Sequence, residues 1–149
     1  MWGTRKHYIA DADREYGVAV LALVNGDLDE AERAARTALK LRERTTKEDT
    51  PRIAADARML AEILAESDAR AEANALYQRA LTVYRRYELQ YDAAVCLHGL
   101  ARLHADTEPA LSRERLQLAM WIKRSILGGI HPEVLELLNE LSGNATACR

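Results

Sequence analysis

Two segments decide the fold: AVLALVNGDLDEAERAARTALKLRER, residues 19–44, and AEILAESDARAEANALYQRALTVYRR, residues 61–86. When they are aligned, small residues and a turn residue fall in register at a constant separation of 42 positions. The aligned pairs are Ala19 with Ala61, Ala31 with Ala73, Ala38 with Ala80, and Gly26 with Asp68. Self-similarity at a fixed period indicates a repeat architecture in which copies of one small unit stack on each other.

Further copies follow along the chain. In a third copy, Leu100-Ala101 takes the place of Leu60-Ala61, and Ala119-Met120 that of Ala80-Leu81. A fourth copy begins at His131-Pro132 and reaches Leu141-Ser142, and the sequence ends before a second helix of this copy. The chain therefore contains about three complete copies and one partial copy.

Each copy has the pattern of two helices joined by a short turn. Apolar residues recur with the i, i+3, i+4 and i+7 spacing of an amphipathic helix. Thr50-Pro51 and His131-Pro132 place proline near a helix start, and Gly26 and Gly128-Gly129 are helix stop signals. The predicted helices are 10–25, 28–45, 51–67, 70–88, 91–105, 109–127 and 132–142. We therefore expect an all-α fold.

Composition excludes several classes of protein. Seven glycines and three prolines in 149 residues supply too few turns for a β-sandwich or barrel. A net charge of −2 gives no overall basic field for nucleic acid, and no apolar run is long enough to span a membrane. Cys96 and Cys148 lack the spacing of a disulfide framework or a zinc site. The two cysteines are expected to be reduced thiols of a cytoplasmic protein. The abundance of Ala and Arg is typical of a bacterial genome rich in G and C, and no cofactor is predicted.

At these residues the chain resembles the tetratricopeptide repeat family, in its longer, kinesin-light-chain-like form. The family pattern is carried by Val18-Ala19, Gly26, Ala31, Ala35 and Ala38 in the first copy, and by Leu60-Ala61, Asp68, Ala73, Tyr77 and Ala80 in the second. The stretch 119–142, AMWIKRSILGGIHPEVLELLNELS, is similar to the linker of the light-chain repeats. Ala35 departs from the pattern, because an aromatic residue is usual there.

The resemblance implies an α-α superhelix, a solenoid in which neighbouring units bury a continuous core. It covers residues 12–142, with repeats at 12–50, 51–90 and 91–131 and a partial, capping repeat at 132–142. Residues 1–11 form an N-terminal extension, which could cap the first unit, and residues 143–149 form a C-terminal tail. Tyr77 and Tyr84, seven positions apart on one predicted helix, are expected in the core.

The resemblance also implies a function. In this family the first helices of successive units line a concave groove that holds a peptide or a partner segment. We therefore expect a non-enzymatic scaffold or adaptor. The residues expected to face the groove are Tyr16, Val20, Leu23, Arg58, Glu62, Glu66, His98, Arg102, Asp106 and Asn139.

The basic residues of this set suggest what the groove could bind. Stacked units would bring Arg58, His98 and Arg102 into one neighbourhood, where they could receive a carboxylate or another acidic group. The alternative is that the arginines form solvated i,i+4 ion pairs, Arg58 with Glu62 and Arg102 with Asp106, which contribute little.

Other functions remain open at this level. A small ligand or a signal peptide could occupy the same groove in a regulatory module. An enzyme of a specialised pathway is the less favoured alternative, with His98 as its candidate. No catalytic or metal site is predicted, because His98 and His104 lie six positions apart on one helix and do not share a face well. Cys96 and His98 are likewise a poor chelating pair on a helix.

The last predicted helix is apolar around more than half of its circumference. One side can pack on helix 109–127, whereas the other side would normally meet a second helix that this sequence lacks. Terminal repeats usually need a polar outer face. We therefore expect self-association, in the form of a homodimer, or docking to a partner, through Leu135, Leu138 and Leu141. The tail could instead fold over this side.

Overall fold

The computed structural model describes the backbone of residues 2–147 and the side chains of residues 3–143. This part of the chain is all helical, and none of its residues lies in a strand. The helices are α1 (Trp2–Val24), α2 (Leu28–Glu43), α3 (Pro51–Glu66), α4 (Arg70–Arg86), α5 (Gln90–Leu103), α6 (Pro109–Leu127) and α7 (Pro132–Ala147). None of the described helices is long and apolar enough to cross a bilayer.

The predicted helices are confirmed, and from α2 to α6 both ends agree within two residues. Two outer boundaries differ. The first helix begins at Trp2 and not near residue 10, so the described part of the predicted extension is continuous with α1. The last helix continues through Gly143 to Ala147 and does not end at residue 142. Glycine lowers helix propensity without forbidding a helix.

The chain divides into two compact units, Met1–Val83 and Tyr84–Arg149. In the first unit, α2 packs against both α1 and α3. The repeat alanines are fully buried, as expected where helices approach closely and a larger side chain would not fit. They are Ala19, Ala31, Ala38, Ala61, Ala73 and Ala80.

Local signals in the sequence set the helix starts of this unit. The Asp27 side chain accepts a hydrogen bond from the Glu30 N–H at the start of α2. The Thr50 hydroxyl accepts one from the Ile53 N–H, ahead of Pro51 at the first turn of α3. Each cap satisfies a backbone donor that has no partner within its own helix.

Three turns share one geometry. Gly26, Asp68 and Glu88 each follow a helix with positive φ, at 77°, 60° and 56°. After each of them the next N–H bonds to the carbonyl five residues earlier, for example from Ala69 to Leu64 at 2.9 Å. This is the Schellman motif. The predicted equivalence of Gly26 and Asp68 is confirmed, and two of the three positions hold residues for which this conformation is strained.

In the second unit, α6 packs against both α5 and α7. Its core includes the fully buried Leu100, Leu116, Val134 and Leu137. Ser112 is also buried, and its hydroxyl donates to the Ala101 carbonyl at 2.7 Å, so α6 and α5 are joined by a satisfied polar contact. The predicted core position of Tyr84 is confirmed.

Candidate functional site

The accessible surface of α3 is a narrow strip that contains the predicted groove residues of the second repeat. The helix is buried around most of its circumference, whereas Ala55, Arg58 and Glu62 are half-buried and Glu66 is exposed. Their spacing places them on one face. Arg58 donates a hydrogen bond to Glu62, so the i,i+4 pair that the sequence predicts is present.

The accessible strip of α5 occupies the equivalent repeat positions, 40 residues later in the sequence. Tyr91 and Val95 are half-buried on it and Arg102 is exposed, while His98 is buried at its edge. The first helices of two repeats, each within its own unit, therefore present corresponding strips.

A cluster of four side chains joins α5 to α7; we call it the α5–α7 cluster. Glu140 Oε1 lies 2.9 Å from His98 Nε2 and 3.0 Å from Arg102 Nε. Arg102 also donates from Nη2 to Glu136 Oε1 at 2.7 Å. Two carboxylates therefore surround the one permanent cation of the cluster. The alternative interpretation of the sequence paired Arg102 with Asp106, whereas the structure pairs Arg102 with these two glutamates of α7.

Burial and neighbouring charges determine the protonation of this cluster. Burial lowers the pKa of His98, against the opposing effect of its hydrogen bond to Glu140. Burial alone would raise the pKa of Glu140, but hydrogen bonds from Arg102 and His98 bring it below its ordinary value. Near neutral pH, His98 is therefore neutral and Glu140 is ionised, and the formal charges of the four residues sum to −1.

A second polar contact lies between the same helices. The Tyr91 hydroxyl donates to the Glu133 carboxylate at 2.9 Å, and the buried Lys123 of α6 donates to Glu133 at 2.8 Å. The Lys123 ammonium also lies 5.5 Å from the centre of the Tyr91 ring, within cation–π range. A hydrogen bond from Lys123 lowers the pKa of Glu133. This contact holds α7 in place beside the cluster.

The other predicted groove residues are accessible to different degrees. On α1, Tyr16, Val20 and Leu23 are half-buried, and on α7, Asn139 is exposed. The structure brings His98 and Arg102 together within the second unit. Arg58 belongs to the first unit, and its predicted proximity to them stays a prediction.

The described residues contain no group of three or more His, Cys, Asp or Glu side chains placed to hold a metal ion. His98 Nε2 lies beside the Glu140 carboxylate, and Cys96 is fully buried.

A family model of the tetratricopeptide repeat matches residues 8–86, which is more than half of the chain. The chain belongs to the tetratricopeptide repeat family. The matched model is consistent with the longer, kinesin-light-chain-like form of the repeat. A comparison with curated proteins found no match.

Tetratricopeptide repeats generally mediate protein–protein interactions, and the family is typically a non-enzymatic scaffold. The match covers α1 to α4, the helices of the first two repeats. The third repeat and the partial fourth, in α5 to α7, stay predictions from the sequence. Their helix pattern continues that of the matched tetratricopeptide repeats.

Sequence reasoning missed residues of two kinds. Glu136 and Glu140, which pair with the predicted Arg102, were not among the candidates, although their spacing of four on α7 placed them on one face. Trp121 of α6 was not considered, yet 65% of its surface is exposed. An apolar pattern gives no information on which part of a helix face a neighbour covers.

Proposed function

We propose that the chain is a protein- or peptide-binding scaffold, an adaptor, that holds a partner segment on the accessible strips of its first helices. The observation that supports this most is that α3 and α5, buried on their other sides, leave equivalent strips accessible. These strips hold the predicted Arg58 and Glu62 in one unit and Arg102 in the other.

Both strips combine small apolar residues with charged ones, which suits an extended peptide. Ala55 and Val95 leave room for a backbone to approach the helix, while Arg58, Glu62 and Arg102 offer groups that bind peptide carbonyls, N–H groups or side chains. Most specific interfaces combine such an apolar centre with polar groups at the rim.

The predicted preference for an acidic partner has weaker support in the second unit. Arg102 already contacts Glu136 and Glu140, so a carboxylate of a partner would have to displace one of them. Because the α5–α7 cluster is net negative, a neutral or basic segment is the favoured occupant of this strip. On the α3 strip Arg58 is paired with Glu62, and Glu66 is exposed beside them, so the formal charges of this strip sum to −1.

A pull-down from the source cell tests this function. The wild-type chain should retain a partner that Arg58→Ala/Arg102→Ala loses, because both strips then lack the guanidinium groups that would donate hydrogen bonds to the carbonyls of the segment. The matched control is Arg5→Ala/Arg14→Ala, which removes the same charge from exposed positions of α1. Equal capture by the Arg58/Arg102 variant and the wild type would contradict the proposed strips.

The same strips could serve a regulatory module that senses a small ligand or a signal peptide. A bound ligand raises the midpoint of thermal unfolding by mass action. A screen of small acidic and peptide ligands that shifts this midpoint, with the shift lost in Arg58→Ala/Arg102→Ala, would favour sensing over scaffolding. Product formation lost in His98→Ala would be needed to support the enzymatic alternative.

We also propose that α7 mediates homodimer formation. Leu135 and Leu138 are 48% and 38% exposed, and Leu141 is half-buried, while Val134 and Leu137 on the other side are buried in the core. Light scattering should give the mass of a dimer for the wild type and of a monomer for Leu135→Glu/Leu138→Glu. A monomeric mass for the wild type would contradict homodimer formation through α7.

A further inference from the structure

The outer side of α6 carries a row of accessible apolar side chains, which we call the Trp121 face: Leu118, Trp121, Ile122 and Ile126. Trp121 is 65% exposed, Leu118 and Ile126 are exposed to 42% and 49%, and Ile122 is half-buried. Their spacing of three, four and eight positions places them on one side of the helix. A contiguous group of this kind marks an interaction site more often than single exposed apolar residues do.

A cavity of about 330 Å³ lies beside this face. Its wall is formed by Leu118, Trp121 and Ile122 of α6, by Leu97 of α5, and by Tyr84 near the end of α4. The volume is at the lower end of the range of ligand sites, and it suits an inserted apolar side chain. An exposed tryptophan at the mouth of an apolar cavity is typical of an interface hot spot.

The arginines near this face are not held by carboxylates of their own unit. Those at the end of α4 and on α6 have no ion pair with a described residue, namely Arg85, Arg86, Arg113, Arg115 and Arg124. Cations without an ion pair also occur on α1, on α2 and in the loop after α2, but the five named here lie on two of the elements that border the cavity or adjoin its lining.

Two of these arginines are placed to receive a carboxylate. Arg85 lines the cavity itself. Arg115 lies one turn before Leu118, and its Nη1 is buried without a hydrogen-bond partner in the described chain. Buried guanidinium nitrogens are normally satisfied, and carboxylates match their geometry with paired hydrogen bonds. The lining itself holds one cation, Arg85, and one anion, Glu88, and Glu114 lies one turn before Leu118 on α6.

We propose that the Trp121 face binds an acidic, amphipathic segment of a partner protein. An apolar side chain of the segment enters the cavity, and its carboxylates pair with Arg85 and the neighbouring arginines. Charge complementarity favours this occupant, since α6 and the end of α4 carry five arginines without an ion pair against two carboxylates, Glu88 and Glu114. The site is separate from the strip of α5, because Leu97 lines the cavity whereas Arg102 lies on a different side of that helix.

Single-stranded nucleic acid is the other class of ligand that combines stacking with negative charge. The observations favour a peptide for two reasons. The lining has two rings, Tyr84 and Trp121, and the rest of its apolar surface is aliphatic, so it offers an apolar side chain more contact area than it offers a row of stacked bases. Glu88, which also lines the cavity, would repel a phosphate backbone.

The test is selection of a random-peptide phage library on the full chain, in parallel with selection on Trp121→Ala. We expect the wild type to select peptides in which one or more apolar residues are flanked by Asp and Glu. The parallel selection on Trp121→Ala should not enrich these peptides. A synthetic peptide from the set should bind at least about tenfold more weakly to the variant, as at an interface hot spot. Because Trp121 is exposed, the variant should unfold at the wild-type temperature.

Charge reversal supplies the matched controls. The variant Arg85→Glu/Arg124→Glu should no longer bind the selected acidic peptide. It should instead bind a version of that peptide in which Lys replaces each Asp and Glu. Arg5→Glu/Arg14→Glu, with the same change in net charge on α1, should bind like the wild type. The proposal is overturned if both selections enrich the same peptides, if the set lost by Trp121→Ala is not acidic, or if oligothymidine binds more tightly than the selected peptide.

Discussion

The two units use the same kinds of charged residue in different surroundings. In the first unit, Arg42 and Asp56 form an ion pair that is almost completely buried, and Arg42 also reaches Asp13 at 2.9 Å. In the second unit, Arg102 pairs with Glu136 and Glu140 while remaining exposed. Removal of one partner from a buried pair leaves a charge without compensation, whereas water replaces a lost partner at the surface. We therefore expect the loss of one partner to destabilise the fold strongly at the first pair and weakly at the second, which stays accessible to a partner.

The largest expected difference between the units follows from removal of the arginine. Arg42→Met should lower the free energy of unfolding by about 3–5 kcal/mol, because Asp56 remains buried without its partner. The same substitution in the second unit, Arg102→Met, should lower the free energy of unfolding by less than about 1 kcal/mol. Urea denaturation followed by circular dichroism measures both.

The double variant Arg42→Met/Asp56→Leu sharpens this comparison. It removes both charges and should recover most of the lost stability, since apolar residues of similar size often replace a buried ion pair without cost. If Arg42→Met and Arg102→Met lose the same free energy, the assignment of different roles to the two pairs is wrong.

A pH-dependent stability is expected of the second unit, because burial lowers the pKa of His98 from its ordinary 6.5. As the pH falls below 6.5, the unfolded chain takes up a proton at His98 that the folded chain does not. Stability should therefore fall from that pH down to the lower pKa of the folded state, by at most about 1.4 kcal/mol per pH unit.

His98→Gln isolates this effect, since an amide keeps a polar contact with Glu140 and does not titrate. Urea denaturation between neutral pH and about pH 5.5 should show a smaller loss of stability for the variant than for the wild type. Identical pH profiles for the two chains would show that His98 is not buried in the way described.

The smallest expected effects concern the left-handed turn residues, one in each unit. Asp68→Gly and Glu88→Gly should both stabilise the chain, because glycine adopts positive φ without steric strain. The gain should be about 1 kcal/mol at Glu88 and smaller at Asp68, since Asp tolerates this conformation better than Glu. A loss of stability at either position, measured by urea denaturation, would contradict the Schellman geometry.

Much of the fold was predictable because its determinants are local or periodic. The helix spacing, Pro51, and the 42-residue register of alanines placed α2, α3 and α4 within two residues of their observed ends. The start of α1 was not predictable, because the first residues offer neither a cap nor a clear apolar face. The end of α7 was missed because Gly143 has the character of a stop signal.

The sites depend on contacts that the sequence does not encode locally. The spacing of Arg58 and Glu62 predicted their ion pair, since both lie on one helix. The pairing of Arg102 with Glu140 depends on how α7 packs in the second unit, over 38 positions of sequence. Exposure of Trp121 likewise depends on which side of α6 its neighbours cover, and periodicity alone does not distinguish those sides.

The central claim is that the accessible strip of α3, in the first unit, and that of α5, in the second, each contact a protein partner. It is tested most directly by a photo-crosslinking amino acid placed at Glu62 or at Arg102, with Gln78, exposed on α4, as the control position. In extracts of the source cell, irradiation should give a protein adduct from Glu62 and from Arg102, and none from Gln78. Adducts from Gln78 alone, or no adduct from either strip, would contradict the account.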